Sequence, residues 1–344
     1  MNQPPVLTCT RTVRNSQRGV TLIELLISMT IGLIIMVAVI SAYLGASGAS
    51  RTAEAIGRMN EDGQAALTIL TQQLRMAGVN PSQPDRNSVS LGLSAVGNTV
   101  PLHNSVTNAY AIRGCDLAFS NVTSAGSTTA LTCGHGAAST GPDSISIAYE
   151  ADRYNTVPTS AGIPTDCLGS GITSSSANYL KSDGVTNVAA TIYEAENRFY
   201  IGSSTFVTSP TLYCRGNATA NAQPLVENIE DLQFTYGTVN NTATTTPIYV
   251  TVVPTNTTTL VLGYLTAHQV ENTVASMPTA LGATVARWNS VKTVRICLVV
   301  RSESEVADSV ASARYLDCNG VLVTSPPDRR LRRAFTSTVV LRNQ

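Results

Sequence analysis

The stretch 18–46, RGVTLIELLISMTIGLIIMVAVISAYLGA, decides how this chain is read. From Val20 to Ala46 it carries one charged side chain, Glu24. At a rise of ~1.5 Å per residue, a helix of this length more than spans a ~30 Å hydrocarbon core. The stretch therefore reads as a membrane helix. Residues 1–19 ahead of it contain Arg11, Arg14 and Arg18 and no acid. That bias keeps the amino-terminal end in the cytoplasm and sends the rest of the chain across the membrane.

The helix is expected to continue past the membrane. Beyond Ser50, Ile56, Met59, Gly63, Ala66, Leu67, Leu70 and Leu74 recur at steps of three and four among Arg51, Glu54, Arg58, Glu61, Asp62, Gln72 and Arg75. This is an apolar stripe on a polar rod, and Leu67, Leu70 and Leu74 are expected to pack on a globular head. Gly78, followed by Pro81 and Pro84, marks the stop. The whole element is expected over about 21–77, ~85 Å if unbroken. Gly32, Gly45, Gly48 and Gly57 are its weak points.

Composition bounds the remainder. The 22 basic residues match the 22 acidic ones, but three arginines lie in 1–19, leaving 19 against 22 and a formal charge of −3 beyond them. A direct nucleic-acid partner is therefore not expected. Only 13% of residues are charged, which suits an exported, β-rich head with polar loops. Of seven cysteines, Cys9 lies in the first segment, leaving Cys115, Cys133, Cys167, Cys214, Cys297 and Cys318. An even set in an oxidising compartment reads as disulfides. About fifteen pairings are open to six cysteines, and their order suggests three local loops: 115 to 133, 167 to 214 and 297 to 318. Each would constrain the unfolded chain by ~3–4 kcal/mol. No paired His or Cys-x-x-Cys spacing supports a metal at Cys133-Gly134-His135.

Strands are expected at Ser144–Tyr149, at 197–207 as a hairpin around Gly202-Ser203, and at Thr211–Arg215. The alternating runs 226–237 and 291–301 are expected as central strands, with Leu232, Phe234 and Tyr236 on one face of the first and Val294, Ile296, Leu298 and Val300 on one face of the second. Ile248–Val253 reads as another strand, 308–315 as a short helix and Phe335–Leu341 as the last strand. Residues 80–131 and 155–190 read as polar loops. Trp288 suits the core or a subunit contact. The run Arg329, Arg330, Arg332, Arg333 reads either as a solvated turn or as a contact to an acidic neighbour. His103, His135 and His268 sit in unrelated contexts, and no nucleophile elbow, zinc-helix pair, phosphate loop or calcium loop appears. An enzyme, or a need for a cofactor, is not expected.

The run is too long for the core of an ordinary secretory signal, and no Ala-x-Ala site ends it. Instead Arg18-Gly19-Val20-Thr21-Leu22-Ile23-Glu24 resembles the class III signal of type IV pilins. Phe is usual after the cut, and this chain has Val20. The resemblance implies that a prepilin peptidase cleaves between Gly19 and Val20 and methylates Val20. Two readings of Glu24 stand side by side: an acid at the membrane interface, or a carboxylate that pairs with the new amino group of a neighbouring subunit. At contact that attraction is ~4 kcal/mol for an effective dielectric of ~20.

Later blocks narrow the resemblance. Leu70-x-x-x-Leu74-Arg75-x-Ala77-Gly78, the 226–237 and 294–302 strands, and Arg332-Arg333-Ala334-Phe335 leading to Leu341-Arg342-Asn343 resemble the PilW-like minor pilins of type IV pilus assembly. The fold so implied is α+β, the type IV pilin fold, with a long amino-terminal helix packed on an antiparallel β-sheet head with disulfide-tied loops. Its divisions are a cleaved leader 1–19, a transmembrane and fibre-core helix 20–46, an amphipathic helix 47–77 and a periplasmic head 78–344. The implied role is a low-abundance subunit of the tip or initiation complex that primes pili for motility, adhesion or DNA uptake. Implied partners are other minor pilins, the major pilin, a large tip adhesin and an inner-membrane assembly platform driven by a cytoplasmic ATPase. The chain would wait in the inner membrane with its head in the periplasm and reach the pilus tip at the cell surface. A minor pseudopilin of type II secretion and a tip adhesin in its own right are the alternatives.

Overall fold

The computed structural model describes residues 19–79, 111–120, 122, 131–134, 141–180, 187–205, 207–219, 221–238, 263–272, 288 and 290–342. The first 18 residues, the 80–110 loop region, His103, His135 and the Ile248–Val253 strand expectation lie outside them. The chain forms two compact units, 1–52 and 53–344, and helix α1, Leu22–Met76, contributes to both.

Within the first unit α1 is uninterrupted, and every residue from Gly19 to Ala46 is exposed. In the second unit its buried residues are Met59, Gly63, Ala66, Leu67, Leu70 and Leu74, the three-and-four spacing of one helical face. Ile56, expected in the same stripe, is instead exposed, so the packed face starts one turn later. Gly78 adopts φ 70° and closes the helix as a left-handed cap. The cap is tied to the head, for Gly78 N–H donates to Ala148 O at 3.0 Å and Glu150 N–H to Val79 O at 2.9 Å.

Two antiparallel sheets receive the helix. The first contains β1 (Ile112–Cys115), β2 (Ser144–Glu150), β4 (Asn187–Gly202), β5 (Thr211–Gly216) and β6 (Gln223–Glu227) in that order, with β3 (Ser174–Leu180) paired to the early half of β4. The second has the order β12-β9-β7-β8, from β7 (Ile229–Thr238), β8 (Gly263–Leu265), β9 (Val291–Arg301) and β12 (Arg332–Val340). A small ribbon of β10 (Tyr315–Leu316) and β11 (Leu322–Val323) follows a 3-10 turn at Val310–Ala313. The two alternating runs lie side by side at the centre of the second sheet. Leu232 faces Leu298, Phe234 faces Ile296 and Tyr236 faces Val294, so each apolar pair is a cross-strand contact under α1.

Three expectations are corrected. Residues 226–237 are not one strand: Asn228 takes φ 62°, a left-handed conformation that Asn tolerates, and the break sends β6 into the first sheet and β7 into the second. The 197–207 hairpin is also misplaced. Strand β4 runs straight to Gly202, and its return partner β5 begins only at Thr211. The 155–190 loop in turn contains β3 and the start of β4, paired from Ser174↔Tyr193 to Leu180↔Asn187. Small polar residues conceal that hairpin because they lack the apolar alternation by which a half-buried strand is recognised.

Trp288 is fully buried, edge-on to Tyr236 at a ring-centroid distance of 4.9 Å. In the arginine run Arg329 and Arg333 are exposed, as a solvated turn expects, but Arg332 is buried. Arg332 has no exposed side-chain surface and forks onto Glu230 and onto Asp328, Arg329 pairs with Glu305, and Arg333 donates to Asn60 Oδ1 at 3.0 Å. These arginines are pairing residues of the head itself.

The closest approach of α1 to the last strand is at Gly63, where a Cβ would lie 2.7 Å from the Phe335 ring. The missing side chain lets β12 pack on the helix. Gly63→Val is therefore expected to destabilise the solubilised chain by ~1–3 kcal/mol through overpacking, measured as a lower chemical-denaturation midpoint. Gly57→Val, where nothing lies within 4 Å, is expected to leave the midpoint nearly unchanged.

Candidate assembly interface

Seventeen large apolar side chains between Val20 and Leu44 are exposed. At ~1.5 kcal/mol or more for each, leaving them in water forfeits on the order of 25 kcal/mol. An apolar medium or other helices must cover them. The backbone is already satisfied by its helix, and the hydroxyls turn inward: Ser28 donates to Leu25 O, Thr30 to Ile27 O and Ser41 to Ala38 O, each at 2.9 Å. This back-bonding meets the demand that an apolar medium makes on polar groups. Mean hydropathy reaches 2.6 over the most apolar window, and α1 is the one helix among the described residues long and apolar enough to cross a membrane.

Gly19 and Val20 precede the helix and are exposed. Thr21 and Glu24 form a reciprocal pair at its start. Glu24 Oε2 accepts from Thr21 N–H at 3.1 Å and Thr21 Oγ1–H at 3.0 Å, while Glu24 N–H points to Thr21 Oγ1 at 3.4 Å. This is a capping box, legible as Thr-x-x-Glu though missed in the sequence reading. Glu24 thus has a local duty as well as any intersubunit one. The second carboxylate oxygen, Oε1, has no hydrogen-bond partner among the described residues and is available to a cation.

In the head, the six cysteines are joined as Cys115–Cys133, Cys167–Cys214 and Cys297–Cys318, with Cα separations of 5.5, 6.6 and 5.7 Å. The second pins the 151–170 loop to β5, and the third pins the β10–β11 segment to β9. Among the described residues no group of His, Cys, Asp and Glu is arranged to hold a metal.

Acidic residues that sequence reading passed over hold the two sheets together. Asp143, just ahead of β2, accepts N–H bonds from Leu117 at 3.3 Å and from Phe234 of β7 at 2.8 Å. Asp116 accepts from Ala267 and His268 at 2.7 and 3.2 Å, capping helix α2 (Ala267–Asn272). Glu271 of α2 accepts from Trp288 Nε1 at 3.2 Å and Arg113 Nε at 3.0 Å. Burial, with Asp116 and Asp231 nearby and against the help of the two amides, pushes the Asp143 carboxyl up to about 8.

Comparison with known proteins bears on both ends of the chain. Residues 198–343 match the family described as Type IV Pilus-assembly protein W, and residues 14–40 match the Prokaryotic N-terminal methylation motif. No curated protein and no solved structure matches the chain. The first match covers the second sheet, the end of β4, strands β5 and β6 and three of the disulfide cysteines; the second covers the Gly19–Val20 bond and Glu24.

Because Asp143 is more readily protonated in the fold than in the open chain, stability should fall as pH rises from about 4 to about 8. Thermal unfolding of the solubilised chain across that range is expected to show this fall, and Asp143→Asn, which mimics the protonated form, is expected to flatten it. An equally steep fall in the variant would assign the dependence to other groups.

With its apolar helix, its α+β head of antiparallel sheets and matched segments at both ends, this chain is similar to the PilW-like type IV pilins.

Proposed function

We propose that the chain is a minor pilin of the tip or initiation complex of the type IV pilus, rather than a pseudopilin or an independent adhesin. The observation that carries the reading is the coexistence of the PilW match over 198–343 with the methylation motif and an uncovered apolar helix bearing one carboxylate. A peptidase cut after Gly19 frees Val20 for methylation. The apolar helix is stored in the inner membrane with the head in the periplasm, and neighbouring helices then shelter it in the fibre. Partners are other minor pilins, the major pilin, a tip adhesin and the assembly platform.

In this mechanism Glu24 Oε1 meets the cationic amino terminus of a neighbour while Oε2 keeps the capping box. In an apolar setting an unpaired carboxylate is costly, so capture of a cation favours incorporation. The head contributes shape and contacts, its loops tied by three disulfides.

Mass measurement of the mature amino terminus is expected to give a methylated Val20. An intact residue 1 in a piliated cell contradicts the processing step. Glu24→Gln tests the charge separately from the cap, because Gln at this position preserves the reciprocal hydrogen bonds. It is expected to remain membrane-inserted but to disappear from sheared pili and to reduce twitching motility. Wild-type motility in Glu24→Gln combined with loss in Glu24→Ala would assign Glu24 to the cap alone. Deletion that abolishes exoprotein release but leaves piliation unchanged would favour the secretion pseudopilin.

A further inference from the structure

Strand β12 forms one edge of the second sheet, paired on a single side from Arg332↔Arg301 to Val340↔Thr293 with no register shift. Leu341 N–H donates to Lys292 O at 2.8 Å and Leu331 O accepts from Ser302 N–H at 2.8 Å. The odd-numbered residues therefore face β9, and by antiparallel alternation Ala334, Thr336, Thr338 and Val340 turn their N–H and C=O groups away from the sheet. No hydrogen bond to these outward backbone groups occurs among the described residues. Thr336, Thr338 and Val340 are exposed.

Natural edges are usually blunted by a bulge, a Pro, an inward charge or a covering loop. Residues 334–340, AFTSTVV, contain none of the first three. A groove opens beside this edge where α1 leaves the strand. Thr336 and Ser337 line one side, and α1 between Gln64 and Met76, with Asn155, lines the rest. Its walls combine neutral hydrogen-bonding groups with the apolar Leu67 and Met76 and one cation, Arg75, and hold no carboxylate.

We propose that β12 is a strand-addition site, filled by an extended segment of a different pilus subunit with neutral or acidic side chains. Backbone groups in a row are satisfied by another strand, and side chains on its helix-facing side would enter the groove. Charge argues against a second copy of this chain. Residues 332–342 hold Arg332, Arg333 and Arg342 and no acid, and an antiparallel second copy must set outward-facing residue against outward-facing residue; centred on Ser337, such a pairing sets Arg332 against Arg342, a destabilising like-charge pair. The opposite edge, β8, has only 3 residues to offer.

The inference rests on the assembly reading for where the partner is sought. The test places a photoreactive benzophenone residue at Thr336 of the full chain in piliating cells and maps crosslinked peptides in sheared pili by mass spectrometry. A crosslink to an extended segment of another pilus subunit is expected. Thr338→Pro removes one outward N–H without touching the β9 ladder and should cut crosslinking about tenfold or more, whereas Thr338→Val should retain it. Should Thr338→Pro fail to fold, hydrogen exchange on the wild-type chain replaces it: the Thr336, Thr338 and Val340 amides should become protected on adding the crosslinked subunit. A chain present in pili but giving no Thr336 crosslink, a crosslink to a second copy, or amides left unprotected overturns the strand-addition site while leaving the assembly reading intact. Absence of the chain from pili defeats that reading as well.

Discussion

The governing constraint is that one half of a single helix has no place in water. From Val20 to Leu44 the side chains are almost all apolar and uncovered, while the helical ladder and the inward hydroxyls of Ser28, Thr30 and Ser41 meet the polar needs of the segment from within. Such a segment is equally content in lipid and among other apolar helices. Under the proposed assembly role, this near-indifference would let a subunit be stored in lipid and used among helices. A segment with polar residues along one face would prefer one of the two and lose the exchange.

The later half of α1 obeys the opposite rule, and the change happens without a break in the helix. At Met59 the apolar residues contract to one face, and Gly63 lets Phe335 approach. The two sheets are bound to each other by charged and polar groups as well as by packing. Asp143 reaches from the β2 end in the first sheet to an amide of β7 in the second, while within the second sheet Arg332 of β12 forks onto Glu230 at the β7 start and Asp328 beside β12. Each is mostly buried, so its value lies in complete pairing: removal of one partner strands the other. Three disulfides brace the head, Cys167–Cys214 at the helix-bearing core and the other two away from it.

The readable parts of the sequence were those with a strong period. The anchor, the Met59–Leu74 face, β7 and β9 each repeat apolar residues at a spacing that only one kind of element tolerates. Where side chains were small and polar, as in Ser174–Leu180, the β3 hairpin was taken for a loop, since backbone pairing leaves no mark on such residues. Asn228 was invisible for a different reason. Val226 shares the even-numbered phase of Leu232, Phe234 and Tyr236 across it, and only the left-handed backbone of Asn228 reveals that the chain passes from one sheet to the other. The arginines 329–333 were judged by charge density, whereas their partners Glu230, Glu305 and Asn60 come from distant sequence. The Thr21–Glu24 box was local and fully legible, but the unusual setting of a carboxylate in an apolar helix drew attention to assembly and away from the cap.

That box changes how the lone acid should be understood. A carboxylate has two oxygens, and here one oxygen serves Thr21 while the other is left to a further partner. The bonds to Thr21 fix the side chain close to the helix start, which lowers the entropy still to be lost when a cation arrives. They also disperse part of its negative charge, which lowers the cost of holding it in an apolar medium. With the proposed cleavage after Gly19, the same arrangement requires the residue to lie within a turn of the new terminus. Farther along, no free helical N–H group would remain to hold it, and an unheld carboxylate amid apolar side chains would weigh against insertion before any neighbour could repay it.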